Sequence, residues 1–167
     1  MSKKYELVVD DTITLWGWKL FRIKALIRFG SVDAGDLGGY VCTEDNLSQE
    51  GDAWVWGNAK VWGDAKVWGN AKVWGNAKVS GNAKVWGNAE VSGNAKVSDL
   101  EDVIVFKNHW SSGRYFTYTR SNKMWKVGCF YGTGQELIDK AYRDSEKSGN
   151  FYKAYVEFIA SLEGLGE

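Results

Sequence analysis

The sequence predicts a mainly β protein: a parallel β-helix, a hexapeptide-repeat solenoid, with an N-terminal β cap and a small C-terminal cap of ββαα type. Three observations predict it. From Ala53 to Ser98 the unit A-K-V-[W/S]-G-[N/D] runs eight times in register. Within each unit, small or apolar residues alternate with polar or aromatic ones, the pattern of a strand with two faces. Gly-Asn then supplies residues that accept positive φ at a corner. A short fixed period of this kind signals a repeat architecture.

Gly-Asn is also a two-residue hairpin loop, so an antiparallel meander is the competing arrangement. In a meander the residues flanking each loop share one side of the sheet. Trp62 would then sit beside Ala65 and Val61 beside Lys66, scrambling inside and outside on every second strand. A coil that always turns the same way puts Ala and Val inside on every strand. Three units close a triangular turn, so residues 18 apart stack. At ~4.8 Å per coil, eight units make a short core whose open ends need capping.

Residues 1–52 form the expected N-terminal β cap, 53–98 the β-helix, and 99–167 a three-stranded sheet with two helices. Phe21, Ile23, Ala25, Ile27 and Phe29 alternate with Arg22, Lys24 and Arg28, a strand signal. The preceding YELVVDDTITLWGW suits a hairpin turning at Asp10-Asp11. After the repeat, DVIVFKNHW, RYFTYTR and MWKVGCF read as strands separated by SSG and SN. Thr133 and Glu136 have capping-box spacing, predicting a helix over Gln135 to about Asp144. A second helix runs from an Asn150 cap through Leu162, with Phe151, Tyr155, Phe158, Ile159 and Leu162 along one side.

Lysine and arginine total 21, as do aspartate and glutamate. Overall charge therefore gives no nucleic-acid signature. The repeat carries six lysines against Asp64 and Glu90, a basic band between two mildly acidic ends. No apolar run of signal-peptide length follows Lys3-Lys4, and none reaches the ~18 residues of a membrane span. Cys42 and Cys129 lie far apart without metal spacing. Together these features suggest reduced thiols in a cytoplasm.

The inward Val55, Val61, Val67, Val73, Val79, Val85, Val91 and Val97, each preceded two positions earlier by alanine, resemble the hexapeptide left-handed β-helix family. Crossovers between parallel strands are normally right-handed, so the left hand is what this resemblance implies. The wider arrangement is similar to hexapeptide-repeat proteins encoded by bacteriophages and prophages. Its carriers are LFRIKALIRFGSVDAGDLGGYVCTEDNLSQEGDAWV, the A-K-V-W-G-N units and KVGCFYGTGQEL. The resemblance implies a capped β-helix of phage or mobile-element origin; it implies no established activity.

Hexapeptide acyltransferases need a histidine base, and carbonic anhydrases of this architecture need three histidine ligands. The single histidine, His109, lies outside the repeat, so three-histidine metal chemistry is excluded by count. Beside Trp110 it reads as a structural or surface residue, and an acyltransferase with His109 as base is kept as an alternative. Asp99, Glu101 and Asp102 read as a solvated turn. GTGQEL opens a helix, where N–H groups can hold a phosphate, but it lacks the lysine of a phosphate loop. Cys129 reads as a small core residue. No catalytic residue, metal or cofactor is assigned.

The candidate binding residues are the outward rows. Lys60, Lys78 and Lys96 form one column and Lys66 with Lys84 another: solubilising rows, or a strip for an anion or an acidic protein. Trp56, Trp62, Trp68, Trp74 and Trp86 point outward, Trp56 on Trp74 and Trp68 on Trp86, with Trp54 on the side of the first pair. That much exposed indole is unusual for a monomer, so three fates are open: homo-oligomer contacts, burial under the caps, or a ligand or partner. The functional expectation is a non-catalytic phage-type scaffold. It assembles as a dimer or trimer and binds a host protein, for example a component of antiviral defence. The alternatives are sequestration of a nucleotide or other small anion, the acyltransferase, and a virion component.

Overall fold

A computed structural model describes residues 2–165. Eight two-residue strands make the solenoid: β4 (Trp54–Val55), β5 (Lys60–Val61), β6 (Lys66–Val67), β7 (Lys72–Val73), β8 (Lys78–Val79), β9 (Lys84–Val85), β10 (Glu90–Val91) and β11 (Lys96–Val97). They pair in parallel at a spacing of three strands. One face holds β4, β7 and β10, a second β5, β8 and β11, and a third β6 and β9. Backbone bonds such as Trp56 N–H to Val73 O (2.8 Å) and Trp74 N–H to Val91 O (2.9 Å) join successive coils. The repeat alanines and valines fill the centre, all at 2% exposure or less. The corner glycines take positive φ, 59° at Gly57 and 67° at Gly75, a region open to glycine without steric cost.

The N-terminal cap grows out of the second face. Strand β1 (Tyr5–Leu15) pairs antiparallel with β2 (Trp18–Ala25), β2 with β3 (Leu37–Val41), and β3 runs parallel to β5. The turn falls at Trp16-Gly17, where both residues have positive φ, and not at the expected Asp10-Asp11. Those aspartates lie in a register shift between Val8 and Thr12, so a bulge absorbs what reads as a turn. Strand β2 also stops at Ala25, short of Ile27 and Phe29. Phe29 instead bridges to Val32 and packs on Trp54. Gly39 lets β3 approach the first coil, since a Cβ there would collide with Ala59 O and lie 2.7 Å from Val55 Cγ1.

The first coil is sealed by three buried polar side chains. Lys4 Nζ donates to Ala53 O (2.8 Å), Gly51 O (3.3 Å) and Glu50 O (3.4 Å). Asn46 Nδ2 donates to Ala65 O and Gly63 O, and Tyr5 OH donates to Leu47 O at 2.6 Å. These donors occupy carbonyls that a further coil would otherwise pair.

The C-terminal cap has four strands where three were expected: β12 (Val103–Lys107), β13 (Tyr115–Thr119), β14 (Met124–Val127) and β15 (Phe130–Thr133). MWKVGCF is not one strand. Gly128 (φ 56°) folds it into a hairpin, which leaves Cys129 exposed at the turn and out of the core expected for it. Helix α1 (Gly134–Asp144) begins with the predicted Thr133/Glu136 capping box. Helix α2 (Glu146–Leu165) is capped at Ser145, ahead of the expected Asn150 cap. Ser145 Oγ accepts from Ser148 N–H at 3.0 Å, so a hydroxyl earlier in the chain does the capping. Phe116, Trp125, Leu137, Tyr152 and Ile159 form this cap's own core.

Candidate binding face

The parallel register places the lysines as the spacing predicts. Lys60 pairs with Lys78 and Lys78 with Lys96, while Lys66 pairs with Lys84 on another face. Burial, and then the neighbouring Lys78, push the Lys60 ammonium below its ordinary pKa. Its Nζ donates to Asn58 O at 2.8 Å. The two lysine columns lie on different faces, so a single chain does not bring them together. GTGQEL does not join them either, because its first turn is filled by its own box: Glu136 N–H to Thr133 Oγ1 and Thr133 N–H to Glu136 Oε1.

The tryptophans divide three ways. Trp54 points out of the coil, in register with Lys72, but the N-terminal cap covers it: it is fully buried, edge-on to Tyr5 (6.0 Å) and Phe29 (5.2 Å). Trp62 is also buried, against Leu20, Tyr40 and Cys42, with Trp16 at 5.8 Å. Trp56 and Trp74 pack at 5.2 Å and are half-buried. The C-terminal cap closes on Trp74, with Lys126 Nζ 5.4 Å from its ring. Caps cover these rings because each offers apolar area that a short solenoid end must otherwise leave wet.

Trp68 and Trp86 are different. They stack at 5.8 Å with planes 7° apart, beside Lys66 and Lys84. Trp68 is half-buried, and Trp86 is 57% exposed. From Trp86 the apolar surface continues onto exposed Leu100, Val105 and Tyr115 of the C-terminal cap. Together with Lys84 and Val103 these residues line a cleft of about 450 Å³. The third face of the solenoid thus presents an indole ridge, a lysine pair and an apolar cleft.

Two departures from the repeat carry a signal that the unit alone hides. Trp54 and Glu90 replace the lysine, and both stand on the face of β4, β7 and β10, where caps dock. Trp54 meets the N-terminal cap. Glu90 meets Lys126 at 3.8 Å and Lys72 at 4.0 Å, and its backbone N–H donates to Thr117 Oγ1. A lysine at 90 would instead extend a like-charge column under a covering sheet. The sealing roles of Lys4 and Asn46 had no such signal, since neither belongs to the repeat.

Asp99, Glu101 and Asp102 form the solvated turn expected of them. Asp102 Oδ2 accepts from Ser98 N–H and Asp99 N–H, closing a 3₁₀ turn. His109 is exposed and packs edge-on to Trp110 and Phe151. Among the described residues no group of three or more His, Cys, Asp or Glu could hold a metal ion, and no helix is long and apolar enough to cross a membrane. In comparisons with known proteins, no family model matches the chain, and no curated protein matches it.

Proposed function

We propose that the chain is a non-catalytic binding scaffold that assembles with a second copy of itself through the Trp68–Trp86 ridge and presents its lysine rows to an acidic protein surface. One observation carries this reading. Two repeat tryptophans lie buried under the N-terminal cap and two pack as a half-buried pair beside the C-terminal cap, whereas the ridge continues onto exposed Leu100, Val105 and Tyr115. Indoles of this kind dominate protein interfaces, and lysines at the rim steer a partner of opposite charge. The resemblance of the repeat and its flanks to phage-encoded proteins supports a bacterial host factor as the bound protein, with antagonism of antiviral defence as the use. A rigid solenoid suits wide-surface binding.

The repeat supplies its own test. Serine stands at the tryptophan position in other units, at Ser80, Ser92 and Ser98. A Trp68→Ser/Trp86→Ser variant therefore keeps the coil and removes the ridge. Captured partner and self-association should both be lost, with the circular dichroism unchanged. Retention of both by a folded variant would contradict the proposal.

A further inference from the structure

Strand β12 stands at the edge of its sheet, with β13 on one side and, among the described residues, no strand on the other. Two bonds fix how it is turned: Arg120 N–H to Asp102 O (2.9 Å) and Asn108 N–H to Arg114 O (2.7 Å). In the unbroken antiparallel register between them, the even-numbered residues bond to β13. Val103, Val105 and Lys107 therefore aim their N–H and C=O groups away from it. Among the described residues no acceptor meets any of these three N–H groups, and of the three carbonyls only that of Lys107 is engaged, by His109 N–H at 2.9 Å.

An apolar edge of this kind is a template for another strand, and proteins usually blunt it. The edge strand β1 is blunted: it carries Glu6, Asp10 and Asp11, with a bulge between Val8 and Thr12. Strand β15, at the far side of the β12 sheet, runs straight into α1. β12 has none of these devices. VIVF precedes its one lysine, its register with β13 has no bulge, and Val105 is exposed. Val105 also lines the same cleft as Trp86, Leu100 and Tyr115, so the open edge continues the apolar surface of the ridge.

We infer that this edge is occupied by β12 of a second copy, paired antiparallel about a twofold axis through Val105. The inference rests on the self-association proposed above and gives it a geometry. In this register Val105 exchanges both backbone bonds with its counterpart, and Val103 does so with Lys107 of the second copy. The Lys107 carbonyl has a second lone pair for this bond. Ile104 falls opposite Phe106 of the second copy, a favourable cross-strand pair. Charge selects the direction. The chain enters β12 through Glu101 and Asp102 and leaves it through Lys107 and His109. Antiparallel pairing sets Glu101, its side chain 75% exposed, opposite His109 and diagonal to Lys107. Parallel pairing would set like on like. A twofold contact of this kind closes at two copies.

The test is hydrogen exchange of the full chain, assembled and diluted, together with solution mass by light scattering. A dimer is expected, in which the Val103, Val105 and Lys107 amides exchange about tenfold or more slower than in the diluted chain. Val105→Lys sets two ammonium groups face to face at the axis and should give a folded monomer. Exchange in the parent needs no variant, so a substitution that folds poorly leaves the test in force. Fast exchange at all three amides in an assembled parent overturns the pairing, and so does a Val105→Lys variant that stays dimeric. The ridge fails separately: if Trp68→Ser/Trp86→Ser stays dimeric while Val105→Lys does not, the edge alone joins the copies. The reverse result keeps the ridge and overturns the edge. A trimeric parent overturns the twofold pairing, and a monomeric parent overturns both readings.

Discussion

Val73 stands in the middle of a valine column, between Val55 of the coil before and Val91 of the coil after, at 0% exposure. A carboxylate there has neither water nor a cation to meet, so Val73→Asp should cost about 3–5 kcal/mol. The check is a urea midpoint; a variant that unfolds with the parent would place Val73 outside the core. Lys4 makes a pH prediction. Burial lowers its pKa from 10.5 to about 8, against an opposing pull from Asp52. Between those values the unfolded chain binds more protons than the folded one, so stability rises as pH climbs from about 8. Tyr5 and Tyr118 are shifted upward, chiefly by burial, and remove stability above their ordinary pKa of 10. Cys42, raised by burial from 9.0, removes stability above about pH 9, so the clean window is pH 8 to 9, and the rise across it should largely vanish in Lys4→Gln. At this scale the inward valines were legible in the sequence, because period two assigns faces. Lys4 was not, because its partners are carbonyls more than 40 positions away.

At the scale of elements, the solenoid faces follow directly from the spacing of 18, and the β-helix predicted from the repeat is the one observed. The caps were legible as strands and helices but not as surfaces. The β1–β2 hairpin passes its aspartates and turns at Trp16-Gly17, which sets Trp16 against Trp62. That docking depends on a bulge, which the alternation of residues does not encode. Trp54 and Glu90 are the points where a cap meets the coil, so restoring the repeat there should loosen the caps. Trp54→Lys removes a ring enclosed by Tyr5 and Phe29 and should cost about 3–5 kcal/mol. Glu90→Lys leaves Lys126, which has only 12% of its side chain exposed, facing like charge. The expected cost is about 2 kcal/mol. Hydrogen exchange locates the effect: faster in β13 and β14 for Glu90→Lys, faster in β1–β3 for Trp54→Lys. Uniform acceleration across the solenoid would instead mean that coil and caps unfold as one unit.

For the molecule as a whole, the repeat offers five indoles at one position and the fold leaves one pair as an open ridge. Sequence spacing paired Trp68 with Trp86 correctly but could not separate that pair from Trp56–Trp74, because the difference lies in which face the C-terminal cap covers. The stack itself contributes about 1 kcal/mol, so losing it should barely affect the melting of a single chain. Its larger expected effect is on assembly. The most direct measurement is the solution mass of the parent chain and of Trp68→Ser/Trp86→Ser, by light scattering behind size exclusion at two concentrations. The account predicts a parent mass that is a multiple of 18.7 kDa and a folded variant at that single-chain mass. A parent that stays monomeric at both concentrations, or a variant that assembles like the parent, would contradict it.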